Sequence, residues 1–238
     1  MAATSKIARI EELRALISRR APGMPAADAC PLGLPSIDAA LGGGLPRGCL
    51  QEVTPADGGA AAAGFAAFLL GRLAANSEGG RRGILWGSVG EGDLHPPGLA
   101  AFGLDPGNVI LLSAPSQAEL LWAMEEALRA PAIIGAVGEV DRIDLTAGRR
   151  LQLAAAAGGG VGFLLMRADR PAAAVSPAAL RWRVGACPGG GWRVELLRQR
   201  AGRPGAWSLE REDETDCFAV AAALGDGSAA PAARLSAR

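Results

Sequence analysis

Residues 41–64 read LGGGLPRGCLQEVTPADGGAAAAG: a glycine turn, a short apolar stretch, a second glycine-rich bend and an alanine-rich segment. That layout seats a phosphate on a loop between a strand and a helix. Triphosphate chemistry on such a loop needs a lysine that reaches the β- and γ-phosphates and a hydroxyl that holds Mg²⁺. Here the bend runs Thr54-Pro55-Ala56-Asp57-Gly58-Gly59-Ala60-Ala61-Ala62, with Ala61 and Ala62 where the lysine and the hydroxyl belong. Lys6 is the single lysine of the chain. Asp57, Gly58 and Gly59 can still present backbone N–H groups to an anion, but Asp57 sets a negative charge at the mouth and Pro55 lacks a donor. The stretch reads as a degenerate phosphate loop that keeps its shape without the groups that hydrolysis uses.

Other residue types with chemical potential are not placed to use it. His95, in DLHPPG, has no second ligand or acid partner set by spacing, and Ser88, Ser113 and Ser116 have no histidine near them in sequence. Glu125-Glu126 sit on an amphipathic stretch with Leu121, Trp122 and Leu128, which reads as core plus a wet edge and not as an acid–base pair. Cysteines 30, 49, 187 and 217 show no C-x-x-C spacing, so reduced, buried thiols are expected in place of a zinc or disulfide framework. No catalytic residue, metal site or cofactor is expected. Formal net charge is zero, which gives no long-range attraction to nucleic acid. The polar N-terminus does not read as a signal peptide and no apolar run is long enough to span a bilayer, so a cytoplasmic protein is expected, with no membrane partner.

The elements that must position the loop follow from periodicity. Residues 5–20 predict a helix with an apolar stripe of Ile7, Ile10, Leu13 and Ile17, followed by a proline-rich arm to Pro35. It reads equally as a docking or oligomerisation element and as a helix folded back on its own domain. From Ser36, expected as a cap, strands and helices alternate. Strands are predicted at Cys49–Thr54, Gly83–Gly87, Asn108–Ser113, Ala132–Val137 and Val161–Met166. Helices are predicted at Gly58–Asn76, Pro97–Phe102, Ser116–Arg129 and Leu145–Ala157, with Ser116 and Asp144 as caps and Leu151, Leu153 and alanines of the last helix facing inward. That alternation predicts an α/β fold with a mostly parallel sheet flanked by helices. Four strand-like runs then follow without helices: Leu180–Cys187, Trp192–Arg200, Ala206–Arg211 and Cys217–Val220, which suit antiparallel strands at one sheet edge. Trp182, Trp192 and Trp207 lie on them, as partner anchors or as cross-strand packing. The division expected is 1–35 for helix and arm, 36–222 for the core domain and 223–238 for a disordered tail.

The order of parts over roughly residues 30–212 resembles the RecA/RadA recombinase core. The phrase PSIDAALGGGLPRG (Pro35–Gly48) is similar to that family's entry into its phosphate loop. Within the superfamily the chain resembles the ImuA proteins through LWAMEEALR (Leu121–Arg129), AVGEVDRIDLTAGRRLQLAAAA (Ala136–Ala157), RWRV (Arg181–Val184) and WRVELLRQR (Trp192–Arg200). The resemblance implies a RecA-like fold and a non-enzymatic accessory role in DNA-damage-induced (SOS) error-prone translesion synthesis. The partners it implies are an ImuB-like inactive Y-family polymerase relative, an error-prone replicative-type DNA polymerase, the RecA recombinase and, through the complex, single-stranded DNA. Against an active recombinase, the strand Ile133–Val137 meets Gly138 where the Walker B aspartate belongs, with Glu139 one step on and, by strand alternation, expected to face away unless a bulge shifts it. DNA-binding candidates by the same resemblance are Arg167, Arg170, Arg181, Trp182 and Arg183, although Arg181 and Arg183 also read as the solvated face of a strand. Arg149 and Arg150 read as surface arginines or as part of a partner face. Partner-binding candidates are Ile7, Ile10, Leu13 and Ile17 on the arm and Arg234 and Leu235 in the tail. The alternatives are a DNA-stimulated ATPase and, more distantly, a SulA-like division inhibitor.

Overall fold

The computed structural model describes residues 29–58, 60–77, 83–92, 94–167, 176–188, 190–199, 204–212 and 217–223. The predicted N-terminal helix with Ile7, Ile10, Leu13 and Ile17, the loop residues Gly59 and Arg170, and the tail with Arg234 and Leu235 lie outside these.

The chain enters through a small two-stranded sheet, β1 (Ala29–Cys30) against β2 (Leu45–Pro46), closed by helix α1 (Pro35–Leu41). Ser36 does not cap α1, whose N-cap is Leu34. The Asp38 carboxylate gathers the turn instead, accepting the backbone N–H groups of Leu32 (2.8 Å), Gly33 (3.1 Å) and Leu34 (3.2 Å). At Gly44, φ is +139° and a Cβ would fall on the Cys30 backbone, so only glycine lets β1 and β2 approach.

Strand β3 (Leu50–Pro55) leads through the loop into α2 (Ala60–Ala75); then come β4 (Gly83–Val89), two 3₁₀ turns (Pro96–Phe102 and Pro106–Asn108) and β5 (Val109–Ala114). The first of those turns is the short helical stretch expected at Pro97–Phe102, formed as a 3₁₀ helix with two prolines at its head. Helix α3 (Gln117–Arg129), β6 (Ile133–Val140), α4 (Leu145–Gly158) and β7 (Val161–Met166) complete the alternating part. Ser116 and Asp144 cap α3 and α4 as predicted, accepting from Glu119 N–H (3.3 Å) and Ala147 N–H (2.8 Å). Strands β8 (Leu180–Ala186), β9 (Trp192–Gln199), β10 (Gly205–Glu212) and β11 (Cys217–Ala223) follow without helices.

All nine strands from β3 onward form one sheet, in the order β11-β10-β9-β8-β3-β7-β6-β4-β5. From β8 to β5 every pairing is parallel, and β8 to β11 are antiparallel. The fold is α/β, mostly parallel, with an antiparallel C-terminal edge. One face carries α2 and a core of Phe65, Leu69, Trp86, Val137, Phe163 and Trp182; the other carries α3 and α4 over Leu50, Leu85, Ala136 and Leu164. Among the described residues no helix is long and apolar enough to cross a membrane.

Candidate functional site

A parallel sheet collects its functional groups at the carboxyl ends of the strands, where neighbouring chain crossovers diverge. β3 departs to α2 on one face while β6 and β7 belong to connections on the other, so a crevice opens between their ends. It has a volume of about 440 Å³ and is lined by Gly58, Ala60, Ala62 and Ala63 from the loop and α2, Leu94 and His95, Glu139 from β6, and Leu165, Met166 and Arg167 from β7. Its α2 wall is alanine and therefore offers no cation. Ala61 is buried in the core beneath.

The loop itself is tied back to the sheet. Ala56 N–H donates to the Val184 carbonyl (2.7 Å), and the Asp57 carboxylate accepts from Ala186 N–H (3.0 and 3.3 Å). A Cβ at Gly185 would stand 3.0 Å from Ala56 Cβ, so glycine allows this close seat. The loop thus spends its acid on β8.

Glu139 differs from its sequence expectation. Its side chain lines the crevice, half-buried, with Oε1 accepting from Trp86 Nε1 (3.1 Å). Gly138 is the residue that faces the other way, since a Cβ there would strike the Met124 side chain of α3. Alternation does govern β6, but Val137 and Glu139 share the α2 face and Ala136 and Gly138 the α3 face. The strand extends to Val140, so the acid sits inside it instead of beyond its end. Arg167 stands exposed at the rim, 3.9 Å from Asp141.

No protein-family model matches the chain. Two proteins named Protein ImuA are similar to it, from the Caulobacter vibrioides strains NA1000 / CB15N and ATCC 19089 / CIP 103742 / CB 15. Each is 38% identical over 205 residues, covering 76% of this chain and 82% of the relative. The chain belongs to the ImuA family.

In this ImuA-family member the DNA candidates separate. Arg181 is buried, and its Nε (3.2 Å) and Nη2 (2.9 Å) both donate to Glu52 Oε1 while Ser176 Oγ donates to Oε2 (2.5 Å). Trp182 is fully buried, its indole N–H donating to Gln51 Oε1 (2.9 Å) and its ring edge-on to Phe65 (5.3 Å). Neither can touch nucleic acid, and Arg181 is not a solvated strand residue either. The reason is strand order: β8 lies beside β3, which brings Glu52 and Gln51 alongside from far away in sequence. Arg183 and Arg167 remain exposed, with Arg183 4.0 Å from Glu195.

The tryptophans also move from their expected roles. Trp192 and Trp207 are buried with Trp182, and Trp192 packs against Phe65 (5.9 Å) and Phe102 (5.8 Å), so none of these three tryptophans is an exposed anchor. Trp122 on α3 is 61% exposed, and Leu153 on α4, expected inward, is 62% exposed. Glu125 is buried, held by Arg129 and by Arg150 (2.6 Å), and not part of a wet edge. The helical stripe alone could have pointed to Trp122, because Leu120, Met124 and Leu128 already supply the inward face.

His95 is exposed on the crevice rim. Among the described residues no group of three or more histidine, cysteine or acidic side chains can hold a metal ion.

Proposed function

We propose that this ImuA-family chain is a non-catalytic, recombinase-like adaptor in DNA-damage-induced, error-prone translesion synthesis. Its partners in that reading are an ImuB-like inactive Y-family polymerase relative, an error-prone replicative-type polymerase and the RecA recombinase, in the cytoplasm. The observation that carries it is the alanine wall of the crevice: without lysine or hydroxyl, the β- and γ-phosphates lose both their charge partner and their Mg²⁺ ligand. The Asp57 tether supports the same reading, since the loop's hydrogen-bonding acid is committed to β8. Single-stranded DNA, if met through the complex, meets Arg167, Arg170 and Arg183, not Arg181 or Trp182. Contacts with the protein partners are assigned to the arm (Ile7, Ile10, Leu13, Ile17) and to the tail (Arg234, Leu235).

Glu139 in the crevice favours one second reading, a DNA-stimulated ATPase, because an acid here can order a metal-bound water. Titration with a fluorescent ATP analogue, with Mg²⁺ and single-stranded DNA present, separates the two. The adaptor reading expects neither saturable binding nor phosphate release; both together overturn it. Co-purification with the ImuB-like protein and with the recombinase, run separately, tests the partners. Removing residues 224–238 is expected to abolish binding to the polymerase relative and leave the melting curve unchanged; normal binding by the shortened chain removes the tail from the interface.

A further inference from the structure

The large exposed apolar side chains among the described residues include Trp122, Leu145 (55%) and Leu153, all on the outer surface of α3 and α4. Beside Trp122 runs a groove of about 340 Å³, lined by Ala118, Leu121, Ala147 and Leu151 and bounded by Arg150. Its depth is ordered, because the buried Glu125 is held by Arg129 and Arg150. The two helices run in the same direction, each returning the chain to a parallel strand, and Gln117 Nε2 ties their starting ends together at the Arg142 carbonyl (2.9 Å).

We propose that this face docks a second copy of the chain, with each Trp122 indole seated in the other copy's groove. The face carries projection and socket together, and at one height: Trp122 lies between the groove residues Ala118 and Glu125. A two-fold axis through that level turns the helices antiparallel and sets each indole over the opposing groove, the self-complementarity that an isologous interface requires.

The size of the face sets the strength. Helices of 13 and 14 residues are about 20 Å long and about 10 Å apart. That footprint falls below the roughly 800 Å² per partner of a standard stable interface. Association is therefore reversible, in the micromolar range. It stands independently of the adaptor reading.

Sedimentation velocity of the full chain from about 1 to about 100 µM brackets such a dissociation constant. A monomer-to-dimer shift is expected. Trp122→Ala, which removes the projection, and Ala118→Trp, which fills the socket, are each expected to weaken it about tenfold or more. Ile110→Ser, at an exposed residue of β5, is expected to leave it unchanged. Trp86, Trp182, Trp192 and Trp207 are buried, so acrylamide quenching reads Trp122 directly and its quenchable fraction is expected to fall as the dimer forms. A monomer throughout, or a dimer that both variants leave intact, overturns the proposal. So does protection of Trp122 that appears only when a different protein is added.

Discussion

Removing the Arg181 side chain leaves the Glu52 carboxylate buried with, among the described residues, the Ser176 hydroxyl as its remaining side-chain partner. Breaking a buried pair from one side costs about 3–5 kcal/mol, far more than the pair's net worth, because the remaining charge is uncompensated. Arg181→Ala is therefore expected to lower stability by about that amount in denaturant unfolding, while Arg183→Ala, at an exposed position two residues further along the same strand, stays within about 0.5 kcal/mol. Equal effects would mean that Glu52 reaches water. Cys30 offers a pH readout. Burial pushes its thiol above the ordinary value of 9.0. The folded state disfavours the thiolate, so the stability this group contributes is fully present below pH 9 and lost as pH rises beyond it. A Cys30→Ala variant is expected to show a shallower alkaline fall in stability than the parent chain. Arg181 illustrates the limit of reading residues singly: alternation placed it on a common face with Arg183, but the neighbour that buries it belongs to β3.

At the scale of elements, α2 meets the first 3₁₀ turn at a point with no room for a side chain. A Cβ on Gly71 would collide with the Phe102 carbonyl, which is backbone and cannot swing aside. Gly71→Ala is expected to cost about 1–3 kcal/mol by overpacking, although alanine is the better helix former. A neutral or stabilising result would show that the turn can retreat. Strand β5 ends the parallel side of the sheet, uncharged over VILLSA, with Ile110 at 55% and Leu111 at 51% exposure. Such edges template association unless a charge interrupts them. Leu111→Lys is expected to slow aggregation on heating, measured by turbidity, without lowering the unfolding midpoint. The strands, the caps Ser116 and Asp144 and the antiparallel run were legible because each follows from short-range pattern. The outward placement of Leu153 was not, because alanines around α4 leave the apolar stripe without a sharp edge.

Across the whole molecule, β3 joins the parallel half of the sheet to the antiparallel half, pairing with β7 on one side and β8 on the other. Its core residue Val53 shares one apolar cluster with Trp182 on β8, Trp192 on β9 and Phe163 on β7. Loss of either half uncovers that cluster, so the described core is expected to unfold in a single transition, with far-ultraviolet dichroism and tryptophan emission superimposing. Two separated transitions would show that the halves are independent. What the sequence determined unaided was the class of fold and the residue types of the loop: alternating apolar segments set the element order, and Ala61 and Ala62 stand where a phosphate loop carries its lysine and hydroxyl. Only the tertiary structure decided where the remaining groups point. It turned Glu139 into the crevice, sank Arg181 and the three tryptophans of the antiparallel run into the interior and left Trp122 outside. The physical reason is that burial depends on which strands become neighbours, and those contacts join residues more than a hundred positions apart.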